Sequence, residues 1–113
     1  MANDRQRLLE VCRCCNRILD ESPNTKNLCE ILETNLTYQE SILFNLIQIG
    51  ENVNRLSDEL KEQNDTIPWH QFVGMRNVIT HGYGTLDIES IAETIQQDVP
   101  ELLCACEKLL DKL

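Results

Sequence analysis

The sequence predicts an all-α protein, an antiparallel bundle of four to five helices. Apolar residues recur at spacings of three and four along most of the chain, as one face of a helix requires. No stretch keeps the strict alternation and β-branched enrichment of a strand. The interruptions fall at turn residues, which separate the helices without long linkers.

The first helix is predicted over residues 4–20, where Leu8, Val11, Cys15 and Ile18 step along one face and Ser22-Pro23-Asn24 ends the run. A short helix follows over 25–34, carrying Leu28, Ile31 and Leu32. A long helix over 37–63 forms the spine. Its residues Ile42, Leu46, Ile49, Val53, Leu56 and Leu60 step four, three, four, three, four, the seam of antiparallel packing or of a dimer.

Asn64-Asp65-Thr66-Ile67-Pro68 reads as a turn opening a fourth helix, because a proline's missing N–H costs nothing in a first turn. That helix runs through Trp69, Phe72, Val73 and Ile79 to Gly82 and Gly84, either of which suits a left-handed helix end. A final helical segment over 87–112 aligns Ile95, Val99, Leu102, Cys106 and Leu109, with Pro100 as a kink or restart. Gly50 and Gly74 sit inside helices at about 1 kcal/mol each relative to alanine, which points to close helix contact or backbone access.

With 113 residues, 42% of them hydrophobic, the chain is expected to form one domain over 1–113. Nineteen Asp and Glu against ten Lys and Arg give a net charge of -9, a field that repels phosphates and argues against broad nucleic-acid coating. Arg5, Arg7, Arg13 and Arg17 crowd the start, whereas Arg76 is the only Lys or Arg between Lys61 and Lys108. An isolated arginine ordinarily pairs with a neighbouring glutamate.

No apolar run is long enough to span a membrane, and Met-Ala-Asn-Asp-Arg lacks the hydrophobic stretch of a secretory signal, so a cytoplasmic location is expected. Cys12, Cys14, Cys15, Cys29, Cys104 and Cys106 lack the paired spacing of a zinc ribbon and are expected as free thiols, with Cys12 and Cys15 facing the core. A metal-carrying bundle would need Glu-x-x-His pairs, and none occurs; no metal and no cofactor are expected. His70, beside Trp69, reads as helix surface.

Polar groups with chemical potential gather in Gly74-Met75-Arg76-Asn77-Val78-Ile79-Thr80-His81-Gly82-Tyr83. Asn77 and His81 are four apart and share a helix face. Arg76 and His81 lie about 140° apart around the axis, a gap that a long arginine stem can narrow at a helix end. RNA cleavage needs a base for the 2′-hydroxyl, an acid for the leaving oxygen and positive charge at phosphorus. An imidazole titrates near neutral pH and serves as base or acid, and a guanidinium fork matches phosphate oxygens at two points. Asn77 suits a phosphate oxygen or the orientation of the ring. Bland roles exist for each: His81 as a cation at a helix's negative end, Tyr83 as a loop anchor, Asn77 as an exposed helical residue.

Arg76-Asn77 with His81 and Tyr83 resembles the R-N-x-x-x-H-x-Y signature of HEPN domains, specifically the HepT-like toxins. Asn45-Leu46-Ile47-Gln48-Ile49-Gly50-Glu51, Ile67-Pro68-Trp69 and Gly74-Met75-Arg76-Asn77 are similar to that family's helices in order and spacing, over about residues 8 to 110. The resemblance implies a HEPN-like bundle that forms a homodimer and cuts RNA, without a metal, in a cleft lined by Arg76 and His81 of both copies. It implies a supporting role for Asn77. It makes Tyr83 the residue that a minimal nucleotidyltransferase, the antitoxin of a toxin–antitoxin pair, would modify with AMP. One departure stands out: Gly50-Glu51-Asn52 replaces the expected Gly-Glu-Ala. The alternative is a non-catalytic dimerisation or nucleotide-binding module partnering a nucleotidyltransferase, in which Arg76 grips a phosphate and nothing is cut.

Overall fold

The computed structural model describes residues 2–22, 27–82 and 86–113. Its helices are α1 (Ala2–Glu21), α2 (Leu28–Thr34), α3 (Leu36–Asn54), α4 (Asp58–Gln63), α5 (Trp69–His81), α6 (Ile88–Glu93) and α7 (Val99–Lys112), with a π-helical turn at Thr94–Asp98. Among the described residues there is no strand, and the chain is an all-α bundle.

Helix α3 occupies the middle. It packs against α5 on one side and α1 on the other, α1 in turn packs against α7, and α2 touches α3 and α6. The predicted faces explain this order. Leu8, Val11, Cys15 and Ile18 of α1 are fully buried, as are Ile42, Ile49 and Val53 of α3 and Val99 and Cys106 of α7. Each such aliphatic side chain contributes roughly 1.5–3 kcal/mol when removed from water.

The predicted 37–63 helix is two helices. After Asn54 the chain turns through Arg55 and Leu56, and Ser57 caps α4 by accepting from the Leu60 amide at 3.2 Å. Asp4 of α1 holds the corner, accepting from the Ser57 amide at 2.8 Å and its hydroxyl at 2.6 Å. Desolvation pushes the Asp4 carboxyl up, but the two Ser57 bonds and the Lys61 charge outweigh it and hold the group below the ordinary aspartate range. All six seam residues are nonetheless buried, because α4 turns Leu60 back toward the core.

The 87–112 segment also divides. Asp87 caps α6 by accepting from the Glu89 and Ser90 amides, and the π-helical turn then precedes α7. Pro100 stands in the first turn of α7, where it offers no N–H to the carbonyl four residues back. The Val99 amide bonds to the Thr94 carbonyl, the wider spacing that marks the turn. Ile95, Val99, Leu102, Cys106 and Leu109 stay buried across the junction.

Cys12 and Cys15 face the core as expected, joined by Cys14 and Cys106. Burial pushes the Cys15 and Cys106 thiols up, the latter to about 12, so they behave as small neutral hydrophobes. No described helix is long and apolar enough to cross a membrane.

Candidate active site

Helix α5 carries the motif and lies at the edge of the bundle. The turn before it is tied by Ile67 N–H to the Asn64 carbonyl at 3.1 Å and by the Trp69 indole N–H to the same oxygen at 3.1 Å. Pro68 stands just ahead of the first helical residue rather than within the turn. Trp69, Phe72 and Ile79 are the buried residues of α5. His70, Gly74, Asn77 and His81 are all exposed, and their steps of four, three and four put them on one outward stripe.

Arg76 lies between the buried side and that stripe, with its side chain 31% exposed. Its Nε donates to Glu51 Oε1 at 2.8 Å, its Nη2 to the same oxygen at 2.5 Å, and its Nη1 to Asn77 Oδ1 at 2.7 Å. The pairing with a glutamate that is ordinary for an isolated arginine is therefore present beside the motif, and Asn77 bonds the guanidinium rather than the ring of His81. Gly50 makes the approach possible. A Cβ there would lie 2.8 Å from the Phe72 carbonyl and closer still to Arg76 Cβ, so only glycine lets the arginine stem cross α3 at this point. Gly74 differs: a Cβ there would meet nothing within 4 Å, which leaves backbone access, not helix contact, as its effect.

His81 is exposed in the last turn of α5, and no hydrogen bond among the described residues joins it to Arg76 or Asn77. The Thr80 hydroxyl bonds back to the Arg76 carbonyl at 2.5 Å, tying the two ends of the motif through the backbone. The helix ends as the Gly82 amide donates to the Val78 carbonyl at 2.8 Å, with Gly82 at φ -134°, not left-handed as expected. Gly84 and Tyr83 lie outside the described residues.

Two grooves flank the motif. One, of about 490 Å³, is lined by His70, Gly74 and Asn77 of α5 and by Lys61 and Asp65. It brings Lys61 beside the motif, a cation that linear spacing hides. The other runs between α1 and α3 past Glu51, with Arg7 and Arg55 among its walls. Here the Gly-Glu-Asn departure has a visible effect. Asn52 is buried, donates to the Gln48 carbonyl at 2.8 Å and accepts from Arg7 Nη1 at 3.4 Å, which links α3 to α1. Phe44 on α3 and Val78 on α5 stand 55% and 52% exposed, well outside the core.

The chain is 36% identical over 64 residues to a protein of Caldanaerobacter subterraneus subsp. tengcongensis provisionally named an RNase, a match covering 57% of each chain. It is 31% identical over 61 residues to the probable ribonuclease HepT of Thermococcus cleftensis, covering 54% of this chain and 56% of that one. A protein of Methanocaldococcus jannaschii, also provisionally named an RNase, is 29% identical over 87 residues, covering 76% of this chain and 72% of its own. The chain thus spans about half the length of most curated relatives it matches. No solved structure matches it at a comparable level. The model of the family described as ribonuclease HepT-like matches residues 7–109, nearly the whole bundle and the entire Arg76–His81 motif, and the chain belongs to that family.

Proposed function

We propose that this protein is a metal-independent endoribonuclease acting as a homodimer, with Arg76 and His81 of both copies lining one cleft. The observation that carries this is the anchoring of Arg76. A guanidinium fixed on two sides by Glu51 and Asn77, five residues before an exposed histidine, is a preorganised phosphate clamp on the same helix as an acid–base group.

The chemistry follows from those groups. One imidazole takes the proton of a 2′-hydroxyl as its oxygen bonds to phosphorus, and the P–O5′ bond breaks. A protonated imidazole returns a proton to the 5′ oxygen, leaving a 2′,3′-cyclic phosphate and a 5′-hydroxyl. Arg76 stabilises the extra negative charge on the phosphorane oxygens. A homodimer would bring the His81 imidazoles of two copies to one cleft, and its twofold axis would concentrate positive charge on an acidic body. Exposed Phe44 and Val78 give a second copy apolar surface to cover.

The same reading makes the protein the cytoplasmic toxin of a pair whose antitoxin, a minimal nucleotidyltransferase, adds AMP to Tyr83. The neutralising effect of Glu51 on Arg76 is the observation that favours the alternative, a non-catalytic dimerisation or nucleotide-binding module. Single-stranded RNA incubated with the purified protein in EDTA separates the two. The proposal expects cyclic-phosphate ends and, by light scattering, a mass twice the 13.0 kDa chain. Cleavage that EDTA stops contradicts the metal-independent route, a strict monomer removes the shared cleft, and no cleavage supports the module.

A further inference from the structure

Arg76 has five N–H groups, and three are engaged within the protein: Nε and one on Nη2 by Glu51 Oε1, one on Nη1 by Asn77 Oδ1. One N–H remains on each of Nη1 and Nη2, neighbouring nitrogens that can still donate to phosphate oxygens. Without Glu51 the guanidinium head would be held only by Asn77, an exposed side chain on the same helix, and would gain rotamer freedom at the surface. Glu51 comes from a different helix, and the residue before it, Gly50, leaves the space in which Arg76 Cβ and Cγ lie. The pair Gly50-Glu51 therefore acts as a seat: one residue receives the stem and the next fixes the head.

Building on the proposed ribonuclease function, we propose that Glu51 is a positioning residue of the cleavage site, which locks Arg76 with its Nη1–Nη2 edge turned toward the scissile phosphate. Glu51 itself does not touch RNA. Its carboxylate places negative charge near a bound phosphate, so it opposes binding while it orders the group that stabilises the transition state. The consequence is a split between the kinetic constants. Loss of the carboxylate lowers kcat and leaves KM unchanged or smaller, a pattern that a purely structural salt bridge does not produce.

The test compares wild type with Glu51→Ala, Glu51→Gln and Glu51→Asp, each checked by thermal denaturation. Glu51→Ala should lose about 10- to 100-fold in kcat through misplacement of the guanidinium, with KM not raised. Glu51→Gln keeps an oxygen acceptor at the same reach and should recover most of the turnover. Glu51→Asp keeps the charge but draws it back by one methylene, and should stay impaired. A second readout is independent of activity: the Arg76 Nε–H resonance, assigned by its absence in Arg76→Lys, should be protected from exchange with water in wild type and Glu51→Gln and lost in Glu51→Ala. Wild-type kcat in a folded Glu51→Ala, or an unmoved Nε–H resonance, overturns the proposal. If Glu51→Ala does not fold, full activity in Glu51→Asp overturns it equally. A wild type that cuts no RNA contradicts the ribonuclease function instead, and the Nε–H resonance then reports by itself whether Glu51 orders Arg76.

Discussion

Helices α3 and α5 lie against each other, yet they are built for opposite purposes. Of the 19 residues in α3, eight are buried, running from Ile42 to Val53, whereas α5 buries three of 13. Helix α3 is covered on both sides by α1 and α5, and its packing sets the shape of the bundle. Helix α5 needs only Trp69, Phe72 and Ile79 to hold it in place, which frees the opposite stripe, His70, Gly74, Asn77 and His81, to face outward. The difference separates stability from chemistry within one contact. The buried residues of α3 should control whether the protein folds, and the outward residues of α5, with Arg76 and the Glu51 that seats it, should control what it does.

The two helical glycines sharpen that contrast most. Gly50→Ala forces a Cβ against the Phe72 carbonyl and the Arg76 stem, and should destabilise the protein by about 1–3 kcal/mol through overpacking. Gly74→Ala meets open space and should be neutral or stabilising by up to about 1 kcal/mol, because alanine favours the helix. Urea unfolding of the two variants reads both. Equal destabilisation would mean that α5 is as tightly enclosed as α3.

A smaller effect belongs to the corner where α3 gives way to α4. The folded Asp4 carboxyl titrates below its unfolded value, so its contribution is present above the ordinary aspartate range and is lost as pH falls through the depressed folded value. Asp4→Asn keeps a hydrogen-bond acceptor for Ser57 but not the charge, and should cost about 1 kcal/mol at neutral pH. The difference from wild type should shrink below about pH 4. A gap that stays constant from pH 7 to pH 3 would show that the carboxylate is not what holds the corner.

Much of this architecture was legible in the residues. The seam from Ile42 to Leu60, the helix at Trp69–His81 and the burial of Cys12 and Cys15 all follow from spacing. The break at Arg55–Ser57 was missed because the seam runs straight through it, as Leu56 and Leu60 remain buried on either side of the turn. The available signal was Ser57-Asp58-Glu59, a capping residue followed by acidic residues that suit a first turn. In the last segment Pro100 marked an interruption, but a proline alone does not specify whether the chain kinks or widens into a π-helical turn.

At the site, the sequence placed Arg76, Asn77 and His81 on one helix, and they are in its second half, with His81 alone at the end. It could not show that Glu51, 25 positions earlier, holds Arg76, because that contact depends on how closely α3 and α5 approach. Only Gly50 hinted at it, and a helical glycine has several causes. Nor did local spacing show that Asn77 faces the guanidinium instead of the imidazole.

The most direct test of this division of labour pairs one residue from each helix. Leu46 of α3 is buried and His81 of α5 is exposed. RNA-cleavage rates and urea midpoints would be measured for Leu46→Ala and His81→Ala beside wild type. Leu46→Ala should lose about 2–5 kcal/mol of stability to a core cavity, while its folded fraction cuts RNA at the wild-type rate. His81→Ala should unfold at the wild-type midpoint and lose about 10²- to 10⁴-fold in cleavage rate. Equal cleavage by wild type and a folded His81→Ala would contradict the account.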